Sequence, residues 1–159
     1  LIAEKGAYVN PTIGAASLKI KTMESKKENG NFTEQDQEEL DSINREQEHR
    51  LECFNKLINL GIPMSAGSDS AWGEYKMGNY FEEIEAHVKG GQSPVEAIMS
   101  ATDIAAQSCW IDDNLGSIET GKLADILIVK EDPTKQIENL RTVVDVIKDG
   151  QLIDRQSLL

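Results

Sequence analysis

The chain has 159 residues, 39% hydrophobic and 28% charged, a composition that suits a single folded domain and argues against a disordered or membrane-bound chain. Sixteen Lys and Arg against 28 Asp and Glu give a formal charge of -12. That balance argues against nucleic-acid partners, which need a basic patch to displace counterions from phosphates. No apolar run approaches the roughly 18 residues of a membrane span. No basic segment followed by an apolar one resembles a secretory signal, so a cytoplasmic location is expected. Cys53 and Cys109 lack CxxC spacing and read as two buried, small apolar residues.

In chain order, Lys5-Gly6-Ala7-Tyr8-Val9-Asn10-Pro11-Thr12 reads as a helix end, a Gly turn and a short strand closed by proline. Residues 14–32 are polar and lysine-rich, with a turn signal at Asn29-Gly30-Asn31, and fit either a loop or a marginal helix. Thr33-Glu34-Gln35-Asp36 is a capping-box variant opening a long helix, whose apolar stripe is Leu40, Ile43, Leu51, Phe54, Leu57 and Ile58. Gly61 ends it, and Ile62-Pro63-Met64-Ser65-Ala66-Gly67 follows as a buried strand. Strand, helix, strand predicts a parallel pair.

Met77, Tyr80, Phe81, Ile84 and Val88 mark a further amphipathic helix closed by Gly90-Gly91. Ser93-Pro94-Val95-Glu96 starts another, running to about Trp110 with a break near Thr102-Asp103. From Leu115 the character changes to strands: 124–129, then 143–148, an Asp149-Gly150 hairpin signal, and a return over 151–153.

The most suggestive segment is Ala66-Gly67-Ser68-Asp69-Ser70, at the carboxyl end of the buried strand. Loops converge there in parallel α/β folds, and ligands gather among them. A carboxylate placed after an apolar strand needs a metal, a cation or hydrogen-bond donors. Asp69 therefore reads either as a functional group or as a cap on the next turn, bonding N–H groups near Ala71 or Trp72. Ser65, Ser68 and Ser70 lack a nearby His or Lys that would make a serine nucleophile.

Three stretches together resemble the C-terminal part of the amidohydrolase superfamily, the metal-dependent hydrolases built on a distorted TIM barrel. They are 61–70, which looks like the last barrel strand with its essential aspartate; 91–98 with Ala101-Thr102 and Ala105-Ala106, similar to the helices that follow; and 116–126, which fits the G-S-[IL]-x-x-G-K-x-A-D signature. Val146 to Gly150 extends that signature, and Lys5 to Thr12 resembles the penultimate barrel strand. Within the superfamily the pattern is nearest to imidazolonepropionase-like and prolidase-like members.

The resemblance implies an α/β fold: residues 1–114 as the last two strands and helices of a (β/α)8 barrel, and 115–159 as C-terminal strands of a composite β-sandwich. It implies that Asp69 is catalytic and, in the full-length parent, ligates a divalent metal, typically zinc. Trp72 and Tyr75, with Lys76, would line the substrate mouth, unless they pack within their own loop. Asp125 looks catalytic by type, but its family counterpart is structural. The family's other ligands, an H-x-H pair, a Lys or Glu, and two further histidines, have no counterpart here: His49 lies opposite its helix's apolar stripe, and His87 borders one. One carboxylate does not hold catalytic zinc, which takes about three protein ligands. The expectation is therefore the C-terminal segment of an enzyme that cleaves a small cyclic amide or a dipeptide-like C–N bond. This segment alone is expected to be inactive, free of zinc, and prone to self-association through strand edges. The alternative is a non-catalytic scaffold or interaction protein on the same fold.

Overall fold

The structure, a computed structural model, describes residues 1–70 and 78–154. Its first part is built on two extended segments. The Val9 N–H donates to the Pro63 carbonyl at 3.1 Å and the Ser65 N–H to the Val9 carbonyl at 2.9 Å, a parallel bridge between Val9 and Met64. The chain between them crosses over through α1 (Gly14–Glu28) and α2 (Glu34–Asn59). The expected strand–helix–strand unit is present, paired through an isolated bridge rather than a long ladder.

The stretch left open between loop and helix is α1, and distant residues account for it. Its N-terminus receives no side-chain cap from Ile13. Instead the buried Glu83 carboxylate accepts the N–H groups of Ile13 (3.0 Å) and Gly14 (2.5 Å), two of the donors a helix start leaves orphaned. Gln47 of α2 donates to the Ile13 carbonyl at 3.0 Å. Gly14 has to be glycine: a Cβ there would lie 2.6 Å from the Glu83 backbone nitrogen.

The start of α2 forms as expected. Thr33 Oγ1 accepts the Asp36 N–H, and the Asp36 carboxylate accepts the Thr33 N–H at 2.8 Å. Phe54, at 1% exposure, anchors a core of Ile13, Ile62, Met64 and Ala86, with Val9, Leu51, Leu57 and Ile58 packed around it. Three shorter helices follow: α3 (Phe81–Lys89), α4 (Pro94–Ala101) and α5 (Asp103–Ser108). Ser93 and Glu96 cap α4 reciprocally, and Thr102 makes the expected break before α5. Met77 lies outside the described residues.

The C-terminal strands β1 (Ile126–Val129), β2 (Val143–Lys148) and β3 (Gln151–Leu152) form an antiparallel sheet in that order. Asp149 (φ 50°) and Gly150 (φ 76°) are both left-handed, as the two central residues of a type I′ hairpin turn require. Asp125 secures this turn: its carboxylate accepts the Asp149 N–H at 2.8 Å and the Lys148 ammonium at 2.7 Å. These bonds hold its carboxyl below the usual range, the Asp149 N–H first and then Lys148. A 3-10 turn, Ile137–Arg141, ties the sheet to the helices. Ile137 packs with Ile84 of α3 and Ala97 of α4. Arg141 pairs with Glu85 at 2.6 Å and Glu82 at 2.8 Å, and Lys21 of α1 completes the cluster at 2.6 Å from Glu82.

The cysteines correct the sequence reading: Cys53 is half-buried and Cys109 exposed. Cys109 follows directly on the last residue of α5, outside the packed face, and Cys53 sits one turn from the exposed His49 on the flank of α2. No helix among the described residues is long and apolar enough to cross a membrane.

Candidate active site

The site lies where the second extended segment runs out. Alternation sends Ile62, Met64 and Ala66 toward the helices, and all three are buried. Ile62 and Met64 join the Phe54 core. Past the Val9 bridge, the backbone at Ala66 is held by Ser100 of α4 and by Tyr80, just before α3, instead of by a strand. Its N–H donates to the Ser100 carbonyl at 2.8 Å, and its carbonyl accepts the Tyr80 hydroxyl at 2.6 Å. Burial, followed by electrostatic interaction with Glu83 and Cys109, pushes the Tyr80 hydroxyl up to about 12, so it stays protonated as a donor.

Three residues beyond this clasp stands Asp69, exposed and at φ 46°. A positive φ is uncommon outside glycine but several-fold enriched in Asp and Asn. The geometry turns the chain sharply at the carboxyl end of the segment and leaves the carboxylate in the open. Among the described residues none is hydrogen-bonded or ion-paired to it. The alternative reading, a cap on the N–H groups near Ala71 or Trp72, falls outside the described residues. So do Trp72, Tyr75 and Lys76.

Behind the clasp lies a buried polar chain. His87, fully buried, holds Gln92 Oε1 at 2.9 Å through Nδ1 and faces Glu83 at 3.3 Å through Nε2; Gln92 in turn donates to Ser100 Oγ at 2.9 Å. Through these residues the start of α1, just after the first extended segment, is joined to the Ser100 carbonyl that holds Ala66. His87 is thus a packing residue, and His49 is exposed, as the helical pattern implied. Among the described residues no three His, Cys, Asp or Glu side chains are grouped to hold a metal ion. The described residues therefore do not make up a complete metal centre.

Sequence reasoning singled out Asp69 but missed the residues that hold or flank it: Tyr80, Ser100 and Asn10. In the sequence Tyr80 stands only as part of an apolar stripe. Asn10 directly follows the strand residues 7–9, and the rule that drew attention to Asp69 applies equally to it.

A parallel bridge backed by helices, with a carboxylate just past its carboxyl end, is an α/β arrangement. The model of the amidohydrolase family matches residues 1–153, and the chain belongs to that family. It is 33% identical over 104 residues to an imidazolonepropionase of Symbiobacterium thermophilum, covering 62% of this chain and 24% of the relative. A Xaa-Pro dipeptidase structure with methionine bound in its active site superposes with a TM-score of 0.74 at 34% identity, over 96% of this chain and 36% of that one. The molinate hydrolase structure does so with a TM-score of 0.63 at 29% identity, over 69% of this chain and 27% of that one. The chain thus spans about a quarter of the length of the curated relatives it matches.

Proposed function

We propose that this chain is the C-terminal segment of a metal-dependent amidohydrolase that cleaves a C–N bond of a small molecule, either a cyclic amide or a dipeptide-like substrate. Residues 1–114 would supply the last two barrel strands with their helices, and residues 115–159 the C-terminal strands of a composite sandwich. The observation that carries the reading is the placement of Asp69, exposed at the carboxyl end of the parallel pair in a chain matched to the amidohydrolase family over residues 1–153. Imidazolonepropionase relatives and the Xaa-Pro dipeptidase support the two substrate classes.

In this reading a divalent metal, zinc by family resemblance, would polarise the scissile carbonyl, with its remaining ligands supplied from outside this chain. Asp69 accepts the proton of the attacking water and returns it to the leaving nitrogen. The clasp at Ala66 fixes where that carboxylate stands. Trp72 and Tyr75 belong to the proposed substrate mouth. The segment alone would be inactive and would self-associate through the open edge of β1, whose residues Ile126-Leu127-Ile128-Val129 carry no charge to discourage pairing.

The test compares the isolated chain with the intact protein that carries it, on a panel of cyclic amides and dipeptides with metal analysis of both. Turnover and bound metal in the intact protein, with neither in the chain, is the expected result. An intact protein without turnover or metal would favour the scaffold alternative. Stoichiometric zinc in the isolated chain would overturn the account of it. In sedimentation velocity the isolated chain should shift to larger species with concentration, and Ile128→Lys should suppress the shift.

A further inference from the structure

Asn10 stands next to Asp69's segment and has no role in the fold described so far. Val9 packs against the Phe54 core, so alternation turns Asn10 to the opposite face of the segment, away from the helices. Gly67 shares that face, two residues before Asp69. The two touch so closely that a Cβ on Gly67 would run into Asn10 Nδ2 first and lie 2.7 Å from its Oδ1 and 2.8 Å from its Cγ, so the amide nitrogen packs over Gly67. Glycine at 67 therefore makes room for the carboxamide. Gly67 needs no left-handed φ, so this contact is its visible structural reason. Asn10 is exposed, and among the described residues none is hydrogen-bonded to its carboxamide.

An exposed carboxamide, held in place by contact and with no hydrogen bond to the other described residues, is suited to a ligand. We propose that Asn10 is a substrate-binding residue of the Asp69 site, donating a hydrogen bond from Nδ2 to a carbonyl or carboxylate oxygen of the substrate. The proposal rests on the hydrolase reading above and adds a specific contact to it. Asn10 binds and orients the substrate, while the proton transfers remain with Asp69. Gly67 acts through Asn10 and is a positioning residue.

The experiment measures kcat and KM of the intact protein carrying Asn10→Ala, Asn10→Asp or Gly67→Ala, on a substrate that the wild type hydrolyses. Loss of one hydrogen bond should raise KM about tenfold in Asn10→Ala, with kcat within about threefold. Asn10→Asp keeps the shape but replaces the donor with a charged acceptor, so it should raise KM further. Gly67→Ala should displace the carboxamide and raise KM in the wild-type background, yet add little to Asn10→Ala, the non-additivity expected of touching residues. Equal KM in all three variants and the wild type would overturn the proposal while leaving the hydrolase reading intact. A lower KM in Asn10→Asp would overturn it too, because it would mean that the substrate offers a donor. Absence of wild-type turnover would remove the hydrolase reading, and this inference with it.

Discussion

The strand–helix part and the small sheet use their polar and apolar groups in opposite ways. In the first part polar groups lie deep: Glu83, His87, Gln92 and Ser100 are buried, hydrogen bonds link them to one another and to α1, and His87 Nε2 faces the Glu83 carboxylate at 3.3 Å. In the second, large apolar side chains lie in the open, with Ile118 at 84% and Leu152 at 67% exposure. Burying a polar group is costly unless it is partnered, so the hydrogen bonds among these groups favour one arrangement of the two strand ends. The second part has local turn chemistry, at Asp125, Asp149 and Gly150, and little core of its own. It borrows rigidity through Ile137 and Arg141.

The largest effect should come from the core on which the first part rests. Phe54→Ala is expected to cost about 3–5 kcal/mol of stability in urea unfolding, the usual range for a large buried aromatic. A loss below about 1 kcal/mol would mean that the Phe54 core does not hold the strand ends together.

The joint between the two regions should be sensitive to pH. Burial alone would raise the Glu85 carboxyl, but the Arg141 hydrogen bond and charge, followed by Lys21, outweigh it and leave the group below its ordinary value. A depressed carboxylate stabilises the fold at pH above its unfolded value of about 4.5, and that contribution is lost as pH falls through the lower folded value. Arg141→Met should therefore lower the urea midpoint at neutral pH and lower it less at about pH 3. An equal loss at both values would assign Arg141 a packing role against Phe81, whose ring lies 5.5 Å away, rather than an electrostatic one.

The smallest effect should be confined to the sheet. Asp125→Ala should speed amide exchange at Asp149 and around the β2–β3 turn, leaving exchange in α3 unchanged. Spread of the effect into α3 would contradict the division into a self-partnered part and a dependent one.

Local signals in the sequence foretold the elements that carry their own instructions. The Thr33–Asp36 and Ser93–Glu96 caps, the Thr102 break and the Asp149-Gly150 hairpin turn are all encoded within a few residues. Asp69 was legible for a similar reason, as a carboxylate just past a run of small and apolar residues. Helix α1 was not legible, because its stabilising partners Gln47 and Glu83 stand 34 and 70 residues from Ile13. The Tyr80 bond to Ala66 also depends on tertiary folding, and from spacing alone a tyrosine on an apolar stripe reads as core. Asn10 was hidden by the proline after it, which drew attention to the end of the strand rather than to the side chain standing there.

The most direct test of the central claim is the ratio of kcat/KM between the intact wild-type protein and its Asp69→Asn variant on a substrate found by the panel. Asparagine keeps the size and the exposed position but cannot accept the proton of water. The account predicts a fall of about 10²–10⁴-fold, with unchanged folding by circular dichroism. Activity within twofold of wild type, in a variant that folds normally, would contradict it.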